Sequence, residues 1–262
     1  MNAALPQNGS WLLPDWPAAP RRLRALTTQR AGGVSTGAHA SLNLAQHVGD
    51  DPVSVAMNRA LLRRSAGLPA APLWLEQVHG TEVVVHPGIA AEAVDGAMPP
   101  PRADAAVAFA PGRVCVVMTA DCLPVVLVDR AGTRVGVAHA GWRGLANGVL
   151  EATVAALQAD PAELLAWLGP AIAQPAFEVG AEVRDAFLAR NPQHAAAFVP
   201  NTHGRFQADL YALARTALAQ AGVRAVCGGG RCTFAEPDAY YSYRRDGGRT
   251  GRMATLAWLA AD

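Results

Sequence analysis

The stretch from Val114 to Gly144 constrains the fold more than any other part of the chain. It holds two apolar, β-branched runs, Leu123 to Val128 and Arg134 to Ala138, joined by Asp129, Arg130, Ala131 and Gly132. Two such runs around a short Gly-containing turn predict an antiparallel hairpin. A turn centred on Arg130 and Ala131 pairs residues whose numbers sum to 261 and sets Cys122 opposite His139. Opposite residues share a face, with Cβ atoms about 5 Å apart. The open end of the hairpin thus presents a thiol and an imidazole together. Such a pair can be nucleophile and base, the imidazole holding the sulfur as thiolate. It can also ligate a soft metal such as zinc or copper, provided at least one more donor joins it. A buried cysteine and a strand-end histidine with purely structural roles remain the alternative.

The rest of the composition narrows the chemistry. No Pro/Gly/Ser linker or charge block divides the 262 residues, so a single domain over 1–262 is expected. Hydrophobic residues at 51% against 16% charged predict a sizeable core, and a net charge of +1 offers no basic surface for nucleic acid. Four cysteines with no Cys-x-x-Cys spacing suit reduced thiols in a cytoplasmic protein. No apolar run approaches the ~20 residues of a membrane span, and nothing resembles a signal peptide. All 22 basic residues are arginine. Schiff-base chemistry, pyridoxal phosphate attachment and a P-loop lysine are excluded.

Along the chain, Leu23 to Thr28 reads as a strand, followed by a Gly-rich turn from Arg30 to Gly37 that lacks phosphate-loop spacing. Asp51 and Pro52 cap a helix running to Gly67, with Asn58, Arg59 and Arg63 on its solvated face. His79 ends a strand beside Gly80, where an imidazole can point into a cleft; His86 precedes Pro87 on the way to a surface turn. Asp104 lies where it could reach the same cleft. Apolar positions 145, 149, 152 and 156 predict a helix from Leu145 to Ala159, with Arg143 at its start as an anion donor or a plain surface residue. Asp160, Pro161 and Glu163 open a short helix ending at Leu168 to Ile172. A further helix is expected from about Ala181, then one from Leu210 to Ala221 capped by Asp209, then a strand from Val223 to Cys227. Cys227 and Cys232 are a candidate disulfide or metal pair, or two reduced thiols. The arginine- and aromatic-rich segment 240–254 could stack on a base, hold phosphate, or form an edge strand.

Six blocks carry a resemblance. They are Ser41-Leu42-Asn43-Leu44 with His47-Val48-Gly49-Asp50, Gln77-Val78-His79-Gly80, Met118 through Val125, Ala138-His139-Ala140-Gly141-Trp142-Arg143-Gly144, Gly169-Pro170-Ala171-Ile172, and Ser242-Tyr243-Arg244-Arg245-Asp246-Gly247. Together they resemble the YfiH-like family, whose members are also called laccase-domain proteins, multicopper polyphenol oxidases or purine nucleoside phosphorylases. The likeness runs from about residue 24 to 258. It implies an α/β (α+β) fold of mixed sheets flanked by helices, related to the toxin-type cysteine hydrolases. It also implies a cytoplasmic enzyme with zinc, or copper, held by His79, Cys122 and His139. Tyr240-Tyr241 stands where the family pattern has two phenylalanines.

Three readings follow. With three protein ligands, a tetrahedral zinc keeps one position open for catalysis. Phosphorolysis of adenosine, inosine and methylthioadenosine, with adenosine deamination, is the first reading. Arg143 is the expected phosphate donor, with Arg59 or Arg244 as alternatives, and Asp121 is expected to orient a ligand or accept a proton. Copper-dependent phenol oxidation is the second, and it sits poorly with only seven histidines. The third is a metal-free hydrolase with Cys122 as nucleophile and His139 as base, suited to editing peptidoglycan precursors. The expected partners are small-molecule nucleosides and phosphate, with no membrane, for a monomer or weak homo-oligomer.

Overall fold

The computed structural model describes residues 11–87 and 99–261. Among them, thirteen strands form three sheets. The first has the order β1 (Trp11–Leu12), β2 (Leu23–Thr28), β13 (Met253–Leu259), β5 (Cys115–Thr119), with antiparallel pairing throughout. The second has the order β12 (Ala225–Gly228), β8 (Leu164–Leu168), β6 (Leu123–Asp129), β7 (Val135–Ala140), β4 (Ala105–Ala108), β3 (Val83–Val85). It is mixed, with β12 parallel to β8 and β3 parallel to β4. The third is small, β10 (Phe198–Pro200), β11 (Phe206–Ala208), β9 (Glu178–Val179). The fold is mixed α+β, as the family likeness implies.

Alternation within β6 shows how the layers stack. Leu123, Val125 and Leu127 join a core with α2 (Trp142–Asn147), α3 (Val149–Ala156), α4 (Ala181–Arg190) and α5 (Leu210–Gln220), while Val126 and Val128 face Cys115, Val117, Ala257 and Leu259 of the first sheet. The far face of that sheet packs Leu26, Val116 and Leu256 against Leu62 and Ala66 at the end of α1 (Pro52–Ser65). Each of the two larger sheets is therefore covered on both faces, which is why its central strands read as nearly continuous apolar runs.

The hairpin forms with a different register. Pro124 pairs with His139 and Leu123 with Ala140, so partners sum to 263. The Asp129 carboxylate accepts from the Thr133 and Arg134 amides at 2.7 and 2.8 Å and lengthens the loop. A shift of two keeps every side chain on its face. Other expectations give way to local chemistry. The helix expected from Leu145 to Ala159 is broken at Gly148, whose φ of 102° ends α2 and starts α3. The segment after Asp160 forms only a turn of 3₁₀ helix before the strand Leu164–Leu168. Asn58 and Arg59 are buried rather than solvated, and His86 is buried rather than at a surface turn. Both Cys227 and Cys232 are free thiols. Segment 240–254 is mostly turns, and Met253 opens a central strand, not an edge one. Among the described residues, no helix is long and apolar enough to cross a membrane.

Candidate metal centre and cavity

The site lies where β5 and β7 end and β6 begins. Asp121 and Cys122 occupy the link from β5 to β6, with Asp121 at a φ of 87°, and His139 is the penultimate residue of β7. His79 reaches them from the loop before β3, at a φ of 59°. Ligand atoms of His79, Cys122 and His139 all lie within 4.8 Å of one another, with Cys122 Sγ 4.0 Å from His79 Nε2. The two imidazoles meet edge to face at 4.8 Å between centroids.

One carboxylate organises both histidines. Asp104 is fully buried just before β4, and its oxygens accept from the amides of Val78, His79 and Gly80 at 3.1, 3.0 and 2.6 Å. It also accepts from His139 Nδ1 at 2.8 Å. That bond directs His139 Nε2 toward the thiol, the arrangement by which a carboxylate fixes the tautomer of a metal-binding imidazole. Burial alone would raise the Asp104 carboxyl, but His139 and the Gly80 amide outweigh it and hold the group below its ordinary range. Burial would likewise raise the Cys122 thiol. The neighbouring His139, and hydrogen bonds from both histidines, bring it down to about 6.

Two glycines of the Ala138 to Gly144 block make this convergence possible. A Cβ on Gly141 would lie 2.9 Å from His79 Cδ2 and 3.0 Å from Cys122 Sγ, and one on Gly144 would lie 2.8 Å from the Gly80 carbonyl. The Gln77 side chain fastens the same loop to β5, exchanging bonds of 2.8 and 2.7 Å with the Met118 backbone.

His79 and His139, with Gln77, Met118 and Asp121, border a cavity of about 580 Å³. Its opposite wall comes from Phe177 to Val183 and the turns around Tyr243, Arg244 and Arg252, with Trp142 and Arg143 at one side. Asp121 joins the two walls, since its oxygens accept from Thr233 Oγ1 at 2.6 Å and from the Arg244 amide at 2.7 Å. Arg143 is exposed, with its guanidinium 4.4 Å over Trp142, and α2 behind it is only six residues long. Arg244 lies 5.5 Å over Phe177 and donates to the Glu178 carbonyl. Arg59, by contrast, is not among the lining residues. It is buried 3.8 Å over Trp74 and donates to the Leu44 carbonyl. Sequence reasoning did not single out His47, Arg205 or Arg252, which line the cavity. For Arg252 the signal was the arginine-rich turn itself, while His47 sat unremarked inside a recognised block.

Comparison with known proteins places the chain in a family. A family model described as multi-copper polyphenol oxidoreductase laccase matches residues 24–260. The chain belongs to this family. It is 55% identical over 251 residues to a purine nucleoside phosphorylase of Pseudomonas aeruginosa, covering 95% of this chain and 98% of that protein. It is 49% identical over 249 residues to purine nucleoside phosphorylase YfiH of Escherichia coli, covering 95% and 98%. Among solved structures, NMB0706 of Neisseria meningitidis superposes with a TM-score of 0.88 at 51% identity, covering 96% of this chain and all of that one (100%). YlmD of Geobacillus stearothermophilus superposes with a TM-score of 0.90 at 30% identity, covering 97% and 98%.

The donor set fits the metal that the family implies. One sulfur with a lowered pKa and two imidazoles suit zinc or copper rather than a hard cation, and Asp104 already supplies the outer hydrogen bond such a ligand needs.

Proposed function

We propose that the chain is a metal-dependent purine nucleoside phosphorylase acting on adenosine, inosine and methylthioadenosine, with adenosine deaminase activity. In this reading it is one cytoplasmic catalytic domain, a monomer or weak homo-oligomer. The observation that carries the reading is the juxtaposition of three metal-ligating side chains with a cavity lined by arginines and aromatic rings. A volume of about 580 Å³ lies within the usual range for small-molecule sites. The names of the relatives support the same substrate class.

His79, Cys122 and His139 would hold the ion, zinc being the better match and copper the alternative. When bound, it would supply Lewis-acid chemistry at its open position. Phosphorolysis forms a bond from a phosphate oxygen to C1′ of the ribose while the bond from C1′ to the purine nitrogen breaks. The electron pair leaves with the base, which takes up a proton. Phe177, Tyr243 and Trp142 offer flat apolar surface to the purine, and Arg143 and Arg244 stand at the rim to hold polar parts of the nucleoside or the phosphate. Asp121 positions Arg244 through its backbone.

Metal content and product analysis on adenosine plus phosphate test this. About one zinc per chain is expected, with free base and ribose 1-phosphate as products. Cys122→Ala is expected to lose the metal and to lower activity on the order of 10³-fold. A metal-free native protein that leaves nucleosides untouched would overturn the reading. A Cys-His hydrolase acting on peptidoglycan precursors would then take its place, favoured by the low-pKa Cys122 beside a His139 that Asp104 orients.

A further inference from the structure

We propose that Arg252, with His47 beside it, is the oxyanion subsite of the cavity and takes inorganic phosphate; this assignment rests on the phosphorolytic reading. Arg252 lines the same cavity as His79, His139 and Asp121. It is partly buried, and among the described residues it makes no ion pair with a carboxylate. Its side-chain bonds run from Nη1 to the carbonyls of Thr250 and Gly251, at 2.9 and 3.0 Å, and its guanidinium lies 5.6 Å from the centre of the Tyr243 ring. A guanidinium has five N–H donors, so most of this fork is left for a ligand. A desolvated cation normally requires a counter-charge. Of the acidic groups that act on this one, Cys122 and Asp121 each have another task. Cys122 is a candidate metal ligand, and the Asp121 carboxylate is committed to Thr233 and Arg244.

Arg252 is also firmly held. Its backbone amide donates to Asn43 Oδ1 at 2.9 Å. Asn43 is fully buried, accepts from the Ala45 amide with the same oxygen, and donates to the Ala45 carbonyl and to Asp50. The buried asparagine of the Ser41 to Leu44 block thereby fixes the backbone of the arginine that immediately precedes β13. The other candidates differ. Arg143, Arg205 and Arg244 are exposed; Arg205 pairs with Glu178 at 3.4 Å, Arg244 donates to the Glu178 carbonyl, and Arg143 sits on a six-residue helix. Preorganised donors cost less entropy on binding than mobile ones. His47 lines the cavity as well. Burial, then Arg252 and Arg59, press its pKa down, so it donates as a neutral imidazole and leaves the charge to Arg252. A fork-shaped donor in the same cavity as the metal-ligand histidines would hold phosphate against the ribose of the purine nucleoside.

Calorimetric titration of inorganic phosphate into the metal-loaded protein, paired with the phosphate KM in phosphorolysis, tests the assignment on Arg252→Gln, Arg252→Lys, Arg244→Gln and Arg143→Gln. Metal content and melting curves report the state of each variant. Arg252→Gln is expected to weaken phosphate binding and raise its KM on the order of 10- to 100-fold with metal retained. Arg252→Lys is expected to recover only part of this, because an ammonium cannot make the paired bonds of a guanidinium. Phosphate affinity unchanged in Arg252→Gln, or lost instead in Arg143→Gln or Arg244→Gln, would overturn the assignment while the phosphorolytic reading stands. Phosphate held through Arg252 by a native chain that leaves nucleosides intact would support the subsite and remove that reading.

Discussion

The two walls of the cavity are built on different principles. The metal-ligand wall hangs on strand ends of a sheet buried on both faces. Its precision comes from backbone pairing and from one carboxylate, Asp104, that serves the amides of Val78, His79 and Gly80 and the ring of His139. The arginine wall has little regular structure. Side chains holding backbone shape its turns, as Arg245 does on the carbonyls of Thr233 and Tyr240 and Asp246 does on the Ser242 amide. A wall of the first kind fixes atoms for chemistry, whereas one of the second kind shapes a binding surface. Damage to the first should therefore appear in metal retention and turnover, and damage to the second in substrate KM.

The largest expected effect among substitutions away from the ligands themselves is at Gly141. An alanine there sets a methyl group 2.9 Å from the His79 ring and 3.0 Å from the thiol, so one ligand must move. A misplacement of this size costs about 10²-fold in activity. Gly141→Ala should show that loss together with weakened metal retention by elemental analysis, and an unchanged melting temperature would assign it to the site rather than to the fold. Full activity with full metal content would show that the ligand wall yields, and the contrast between the walls would fail.

The same contrast explains what could be read in advance. The ligand wall follows from patterning. Hairpin runs, a turn and the parity of strand faces bring Cys122 and His139 to one end even though the register, 263 rather than 261, was missed by two. Asp129 side-chain bonds lengthen that loop, and a period-2 pattern carries no information about them. Arg59 looked solvated because a helix with a weak apolar stripe says little about which polar residues a neighbouring loop will cover; here Leu44 and Trp74 cover it. Asp104 was reachable as a candidate because it immediately precedes a strand. Its four hydrogen bonds were not, since they depend on the pairing of β4 with β7. Arg252 was hidden for a similar reason. Its anchor, Asn43, is 209 positions away in the chain.

Asp104→Asn gives an intermediate effect on the same wall. An amide can accept from only one oxygen, so either His139 or part of the 78–80 backbone loses its partner. Removal of an outer-shell carboxylate typically lowers metal affinity about 10- to 100-fold. Competition with a chelator, read by the metal released, should show this loss, with the nucleoside KM of the remaining loaded protein little changed. The native hydrogen bonds hold the Asp104 carboxyl below its ordinary range, so its contribution to stability is full above about pH 4 and is lost as pH falls through the lowered value. The variant should melt with a weaker acid dependence than the native chain. An equal acid dependence in both would show that the carboxylate is not held as the geometry indicates.

Asp121→Asn gives the smallest effect and separates the walls most cleanly. Asp121 is next to Cys122 in sequence, yet its carboxylate serves the other side, accepting from Thr233 and from the Arg244 amide. An asparagine retains one accepting oxygen and loses the charge, so about one charge-assisted bond is weakened, a change of roughly 1.5 kcal/mol or about tenfold. Because the affected bonds shape the turn that carries Tyr243 and Arg244, the tenfold change should appear in nucleoside KM, with metal content and kcat close to native. Loss of kcat with KM unchanged would instead make Asp121 a group that handles a proton in the reaction. Its position between the walls would then count as part of the chemistry, and the division of labour drawn from their construction would no longer hold.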